Sequence, residues 1–278
     1  MDRILIGTSG WSYKDWVGPF YPPGTKPAEY LSIYASHFPA VEIDSTSYGV
    51  PRRETVEKWA EVTPDRFRFT LKVPRDVTHG ASSTRPDLDK VLRDEDGVLD
   101  RFVETIEPLG DKLGVVLFQF PYFRVKEMAA DDFFERLDGT LEKFPTDMRC
   151  AVEIRNKGWV RAPYLDLLKR YRAAAVMIDH PYMPAPAAQL DLGMVTTNVS
   201  YVRLLGDRYG IEKITKSWGE TVVDKSRGIA DWASVIRDVS DLADMTEVYT
   251  FSNNHYAGHA PATCQALVKE VARGEFPS

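Results

Sequence analysis

Ala151-Val152-Glu153-Ile154-Arg155 is the stretch whose reading decides the fold. In an extended strand successive side chains point to opposite faces, so Val152 and Ile154 share one face while Glu153 and Arg155 share the other. The apolar face needs a covering layer of helices. The charged face then points to the far side of the sheet, which in a closed barrel is the interior.

Strand-like runs recur on both sides of it. Residues 4–8, 41–44, 67–73, 115–119, 174–179, 200–204 and 248–251 read as seven further strands, and Phe67-Arg68-Phe69-Thr70-Leu71-Lys72-Val73 has the cleanest alternation. Helical periodicity fills most of the connections: 27–36, 51–62, 88–106 with Gly97 as a point of interruption, 132–143, 164–171, 229–242 and 261–271. Before the third of these helices a loop carries His79, Gly80 and Ser82-Ser83. Three prolines within 181–198 predict a truncated or missing helix there, and 206–227 is a polar excursion long enough to fold over the end of the sheet. Parallel strands need such crossovers. Eight strand-then-connection repeats without a linker predict an α/β fold, a single-domain (β/α)8 barrel of TIM type over residues 1–278. An open doubly wound sheet is the alternative, and Gly7-Thr8-Ser9-Gly10 lacks the glycine spacing that would cradle a dinucleotide in it.

Composition is that of an ordinary globular chain, 44% hydrophobic and 12% aromatic, with material for a large core. A net charge of -6 without a run of five basic residues argues against nucleic acid and against an anionic membrane surface as partners. Cys150 and Cys264 stand far apart and predict two buried free thiols. Met1-Asp2-Arg3-Ile4 enters an apolar run directly, without a signal pattern, and no stretch is apolar enough to span a bilayer, so a cytoplasmic location is expected.

Barrel active sites lie at the C-terminal strand ends, and parity selects the residues that face in. These are Glu42 and Asp44, Arg68, Thr70 and Lys72, Glu153 and Arg155, Asp179, and Tyr201 with Arg203; Gln119 and Asn253 join them. Isolated buried charges cost several kcal/mol each, so these must pair, reach solvent or meet a ligand. Glu42 and Arg68, deeper in their strands, read as structural ion pairs. At the strand ends Glu153, Asp179 and Lys72 are the catalytic candidates, the carboxylates as proton carriers and Lys72 as a point charge. Arg155, Arg203, Gln119, Asp44 and Asn253 are candidate ligand contacts, with Trp11 and Tyr13 of the aromatic first loop as a stacking platform for a small molecule.

The expected activity is acid–base chemistry on a small sugar-like or anionic substrate, phosphate or carboxylate, with no cofactor. A metal-dependent isomerase or phosphodiesterase is a second reading, with Glu42, Asp44, Glu153, Asp179 and His180 as divalent-ion ligands, although the interleaved cations would repel the ion. A non-catalytic barrel presenting a ligand or partner surface is a third. His255 and His259 have metal-ligand spacing but sit around Gly258 and read as polar loop histidines.

Several segments resemble the YecE-like family, domain of unknown function 72. They are Ile6-Gly7-Thr8-Ser9-Gly10-Trp11-Ser12-Tyr13-Lys14-Asp15-Trp16 with Phe20-Tyr21-Pro22, Tyr34 to Phe38 and Val41-Glu42-Ile43, and Phe67-Arg68-Phe69 with Lys72, Pro74 and Thr78-His79. Gln119-Phe120-Pro121, Val152-Glu153-Ile154-Arg155, Tyr201-Val202-Arg203 and Asn253-Asn254 with Gly258-His259-Ala260 continue the match. The resemblance implies a TIM-type barrel loosely related to sugar isomerases and supplies no activity. Two positions depart from the family: Asp44-Ser45-Thr46-Ser47-Tyr48 stands where Asn-Ser-Thr-Phe-Tyr is usual, and His255 stands where an Asp is usual. The first adds a carboxylate and the second removes one.

Overall fold

The computed structural model describes residues 2–81, 83 and 85–274; Met1 and Ser82, named above, lie outside the described residues. Its strands are β1 Ile4–Ser9, β2 Ala40–Ile43, β3 Arg68–Lys72, β4 Leu113–Gln119, β5 Cys150–Glu153, β6 Ala174–Asp179, β7 Val199–Leu204 and β8 Glu247–Ser252. They follow one another round a closed barrel in sequence order. The helices among the described residues are α1 Tyr30–His37, α2 Arg53–Glu61, α3 Arg75–Thr78, α4 Val98–Ile106 and α5 Ala130–Lys143, then α6 Ala162–Arg170, α7 Pro186–Asp191, α8 Arg208–Ile214, α9 Ser226–Ser240 and α10 Ala260–Arg273. None is long and apolar enough to cross a membrane. Contacts group the described residues within 2–42, 177–191 and 198–274 into one compact unit and those within 43–176 and 192–197 into a second.

In the second unit the parallel register sets Lys72 level with Leu117, Leu117 level with Ala151, and Gln119 level with Glu153. Laterally paired residues of parallel strands face the same way, so Lys72, Leu117, Gln119 and Glu153 share one face. Helices cover the opposite face: the Phe69 ring lies 6.4 Å from Trp59 of α2, Phe118 lies 5.4 Å from Phe144, and the Tyr164 hydroxyl of α6 donates to the Val152 carbonyl at 3.0 Å. β5 ends at Glu153, two residues short of its predicted end. The chain leaves the ladder there because Asn156 ties it sideways, donating to the Phe123 carbonyl at 2.7 Å and accepting from the Phe123 amide at 3.0 Å. The helix predicted over 88–106 begins only at Val98. Asp94 accepts from the Val98 and Leu99 amides, Gly97 takes φ +61° before the first turn, and Val91 and Leu92 are buried in turns. Burial without a helix had imitated the periodicity.

In the first unit β7, β8, β1 and β2 pair in register, with Tyr201 level with Tyr249 and Arg203 level with Phe251. The connection after β6 carries only the six-residue α7, where Gln189 takes over the work of a longer helix. Fully buried, its side chain accepts from the Ile178 amide and donates to the carbonyls of Ile178 and Pro184. The polar excursion contains α8 and then lies against its own unit: the Trp218 amide donates to Asp15, the Val222 amide to the Ala257 carbonyl, and His259 Nδ1 to the Trp218 carbonyl. Gly258 permits that close approach. Its φ is +111°, and a Cβ there would stand 2.5 Å from the Glu220 carbonyl oxygen.

The interior of this unit holds a complete ion pair. Arg203 donates from Nε and Nη2 to the two oxygens of Glu42 at 2.8 and 2.7 Å, and the Tyr201 hydroxyl donates to Glu42 Oε2 at 2.8 Å. Glu42 is fully buried and Arg203 2% exposed. Removing one partner of such a pair strands the other charge in a low-dielectric interior. Glu42→Ala is therefore expected to lose about 3–5 kcal/mol of unfolding free energy, and Tyr201→Phe about 1.5–3 kcal/mol; urea denaturation of both variants checks the order.

Candidate functional site

At the C-terminal strand ends of the second unit, Asp44 follows β2 and Lys72 closes β3. The Lys72 ammonium lies 2.5 Å from Asp44 Oδ1. Thr46 holds this corner by donating its hydroxyl to the Lys72 carbonyl at 2.8 Å. Gln119, at the end of β4, donates to the Phe120 carbonyl. Glu153 has no exposed side-chain surface and accepts from Arg155 Nε at 3.1 Å. Arg155, free of the ladder because β5 has ended, folds back over Glu153 with 26% of its side chain exposed. Its guanidinium makes no other hydrogen bond among the described residues.

Behind these groups the short α3 brings in Arg75 and His79, residues the sequence reading did not place in the site. Arg75 packs its guanidinium over the Tyr48 ring, 4.5 Å from the centroid, and meets no carboxylate among the described residues. His79 is 6% exposed; its amide donates to the Arg75 carbonyl at 2.7 Å and its Nδ1 lies 2.9 Å from the Thr78 hydroxyl. Burial, followed by the charges of Arg75, Arg155 and Lys72, lowers the His79 pKa to about 4. The imidazole is thus neutral at neutral pH beside three cations. A sequence signal for it existed in Arg75 and His79, four residues apart after an inward lysine. What hid it was that the shared environment arises only when β3 and β5 come together.

The first unit holds the other predicted residues. Asp179, at the end of β6, accepts from Trp232 Nε1 of α9 at 2.9 Å, and its carbonyl accepts from the Leu205 and Gly206 amides. Burial and the Asp179 carboxylate together raise the pKa of the buried Tyr256 phenol. Arg203 is committed to Glu42, as described. Tyr13 donates to the Ser9 carbonyl and packs 4.6 Å from Trp16, while the Trp11 carbonyl accepts from Tyr21. The first loop is thus anchored, with Trp16 fully buried and donating to Asn254. Asn253 has a buried Oδ1 without a hydrogen-bond partner among the described residues. His255 faces Glu212 at 3.1 Å, and His180 accepts from the Tyr182 amide, so both serve their loops. Among the described residues no three His, Cys, Asp or Glu side chains come together as a metal-holding group. Both cysteines are buried free thiols.

The model of the family described as Protein of unknown function DUF72 matches residues 5–277. UPF0759 protein YunF of Bacillus subtilis is 27% identical over 272 residues, covering 92% of this chain and 90% of YunF. UPF0759 protein YecE of Escherichia coli K12 is 31% identical over 154 residues, 55% of this chain and 48% of YecE. A DUF72 family protein of Thermotoga maritima, TM1631, superposes with a TM-score of 0.74 at 26% identity, over 97% of this chain and 99% of that one. With the family model matched over nearly the whole sequence, this chain belongs to the DUF72 family, described as proteins of unknown function.

Proposed function

We propose that the protein is an enzyme acting on a small anionic or sugar-like substrate by acid–base chemistry at the barrel mouth, with the strand-end groups of the second unit as its working parts. The observation that carries this reading is the two strand-end ion pairs, Lys72 with Asp44 and Arg155 with the buried Glu153, whose cations add to burial in lowering the His79 pKa. Arg155 spends only Nε on Glu153, which leaves the terminal nitrogens of its planar fork for a phosphate or carboxylate. Lys72 adds a point charge. Asp44, with 35% of its side chain exposed, is the carboxylate that a substrate proton reaches first. Glu153 sits under Arg155 and enters proton transfer when Arg155 turns toward the substrate. Neutral His79 supplies a hydrogen bond without adding a fourth charge.

Lys72→Ala and Glu153→Gln are expected to retain the parent's circular dichroism while shifting the binding of small anions in opposite directions, Lys72→Ala weakening it roughly 10- to 100-fold and Glu153→Gln, which removes the carboxylate competing for Arg155, strengthening it. Calorimetric titration with a panel of carboxylates and phosphates measures this. Affinities unchanged from the parent's in both variants would remove the site from the reaction.

His79 also makes a pH prediction. Its folded pKa, about 4, lies below its unfolded value, so the unfolded chain binds the extra proton between the two. Stability from this group is full above pH 6.5 and is lost as pH falls toward 4, by about 3 kcal/mol. His79→Gln should flatten that acid slope in urea denaturation between pH 7.5 and 4.5; equal slopes in parent and variant would contradict a buried neutral imidazole.

A further inference from the structure

We infer that Asp179, Tyr256 and the first turn of α9 form a further site, within the first unit, that takes a hydroxyl group of a neutral polyol. It is built from other residues than the strand-end groups of the second unit and is tested separately. Tyr256 is 1% exposed, and its hydroxyl makes no hydrogen bond among the described residues. A buried hydroxyl without a partner is costly, so the place it points to calls for an occupant. It points at Gly228, in the first turn of the 15-residue α9. A Cβ on that glycine would stand 2.7 Å from Tyr256 Oη and 4.0 Å from Asp179 Oδ2. Gly228 has no positive φ to explain it, and inside a helix glycine is less favourable than alanine. What the missing side chain provides is room for the phenol beside the carboxylate.

The surrounding atoms select the ligand. Asp179 Oδ2 accepts from Trp232 Nε1 at 2.9 Å, which fixes the carboxylate, while Oδ1 has no hydrogen-bond partner among the described residues. Asp179 and Lys225 are half-buried, and the Lys225 ammonium lies 5.1 Å from the centre of the Tyr256 ring. Its flexible stem covers the phenol in a way that a ligand can move aside. Asp224, another carboxylate at this helix end, already accepts from the Ser226 amide and hydroxyl. Burial, and after it Asp179 and Asp231, raises the pKa of the phenol, which therefore keeps its proton as a donor. An ionised carboxylate only accepts, so the atom between the two must accept from Tyr256 and donate to Asp179. A hydroxyl oxygen does both. A carboxylate or sulfate has no proton for Asp179 and is repelled by it, and an ammonium has no acceptor for Tyr256 and meets the charge of Lys225. Lys225 is a further donor for a neighbouring hydroxyl, which makes the ligand a polyol rather than a simple alcohol.

The indole N–H of Trp232 reports on the site because it donates to Asp179. Its resonance is followed in proton–nitrogen correlation spectra of the full chain and identified by its shift in Asp179→Asn. Glycerol, D-glucose and myo-inositol are titrated in, with acetate, sulfate and methylammonium as the charged comparisons. At least one polyol is expected to move the resonance with a dissociation constant of about 1–10 mM, and the charged probes to leave it in place. Tyr256→Phe should weaken that polyol roughly 10-fold. Gly228→Ala should weaken it as well. Adding Tyr256→Phe to Gly228→Ala removes the atom that the new methyl meets, so the double variant should regain thermal stability without regaining binding. Polyol binding unchanged in both single variants places the ligand elsewhere and overturns the site. A resonance moved by an anion or by methylammonium and by no polyol overturns the neutral ligand. No movement with any probe leaves a water molecule as the bridge and overturns the proposal outright. Each of these results leaves the Lys72 and Arg155 reading to its own titrations.

Discussion

A strand that buries one face under helices has to send its other side chains into the barrel, and here that inner set includes glutamates, an aspartate, lysine and arginines. Charges in such a place are tolerable when each meets its opposite with its hydrogen bonds made. Glu42 and Arg203 satisfy the condition fully: the guanidinium fork matches both carboxylate oxygens and Tyr201 fills a remaining lone pair. Both side chains are buried, Glu42 fully and Arg203 to within 2%. The pair acts as a structural bolt that ties β2 to β7 within the first unit.

The second unit satisfies the same condition only in part. Lys72 faces Asp44, and Arg155 faces Glu153 through a single nitrogen. Arg75 relies on an aromatic ring, and a cation over a ring face is weakly held compared with one on a carboxylate. Burial, and after it the charges of Arg75, Arg155 and Lys72, lowers the His79 pKa. Incomplete pairing near a strand end is what a binding site requires, since a fully matched network has no reason to accept a ligand. The contrast between Arg203 and Arg155 thus separates two inward arginines that look alike in sequence.

Much of the fold was legible because period-two alternation is strict. Phe69, Phe118 and Val152 lie against helices, and Lys72, Gln119 and Glu153 share the other face, as their spacing requires. The short connection after β6 was legible from its prolines. The helix over 88–106 was misread at its start because Val91 and Leu92 are buried without being helical, and periodicity cannot tell the two apart. The end of β5 was missed because the tie that ends it, Asn156 to Phe123, spans a loop whose partner cannot be named from spacing.

By itself the sequence determined which residues face inward and that the strands are parallel, since both follow from local alternation and from connection length. It also carried family membership, through segments that run from the first loop to β8. Which inward charges are spent on one another was decided only by the tertiary structure. Register and the early end of β5 bring Arg155 onto Glu153, α3 delivers His79 among three cations, and the Glu42–Arg203 distance closes one pair completely. Pairing depends on distances between residues far apart in the chain, and alternation along a strand contains no such distances.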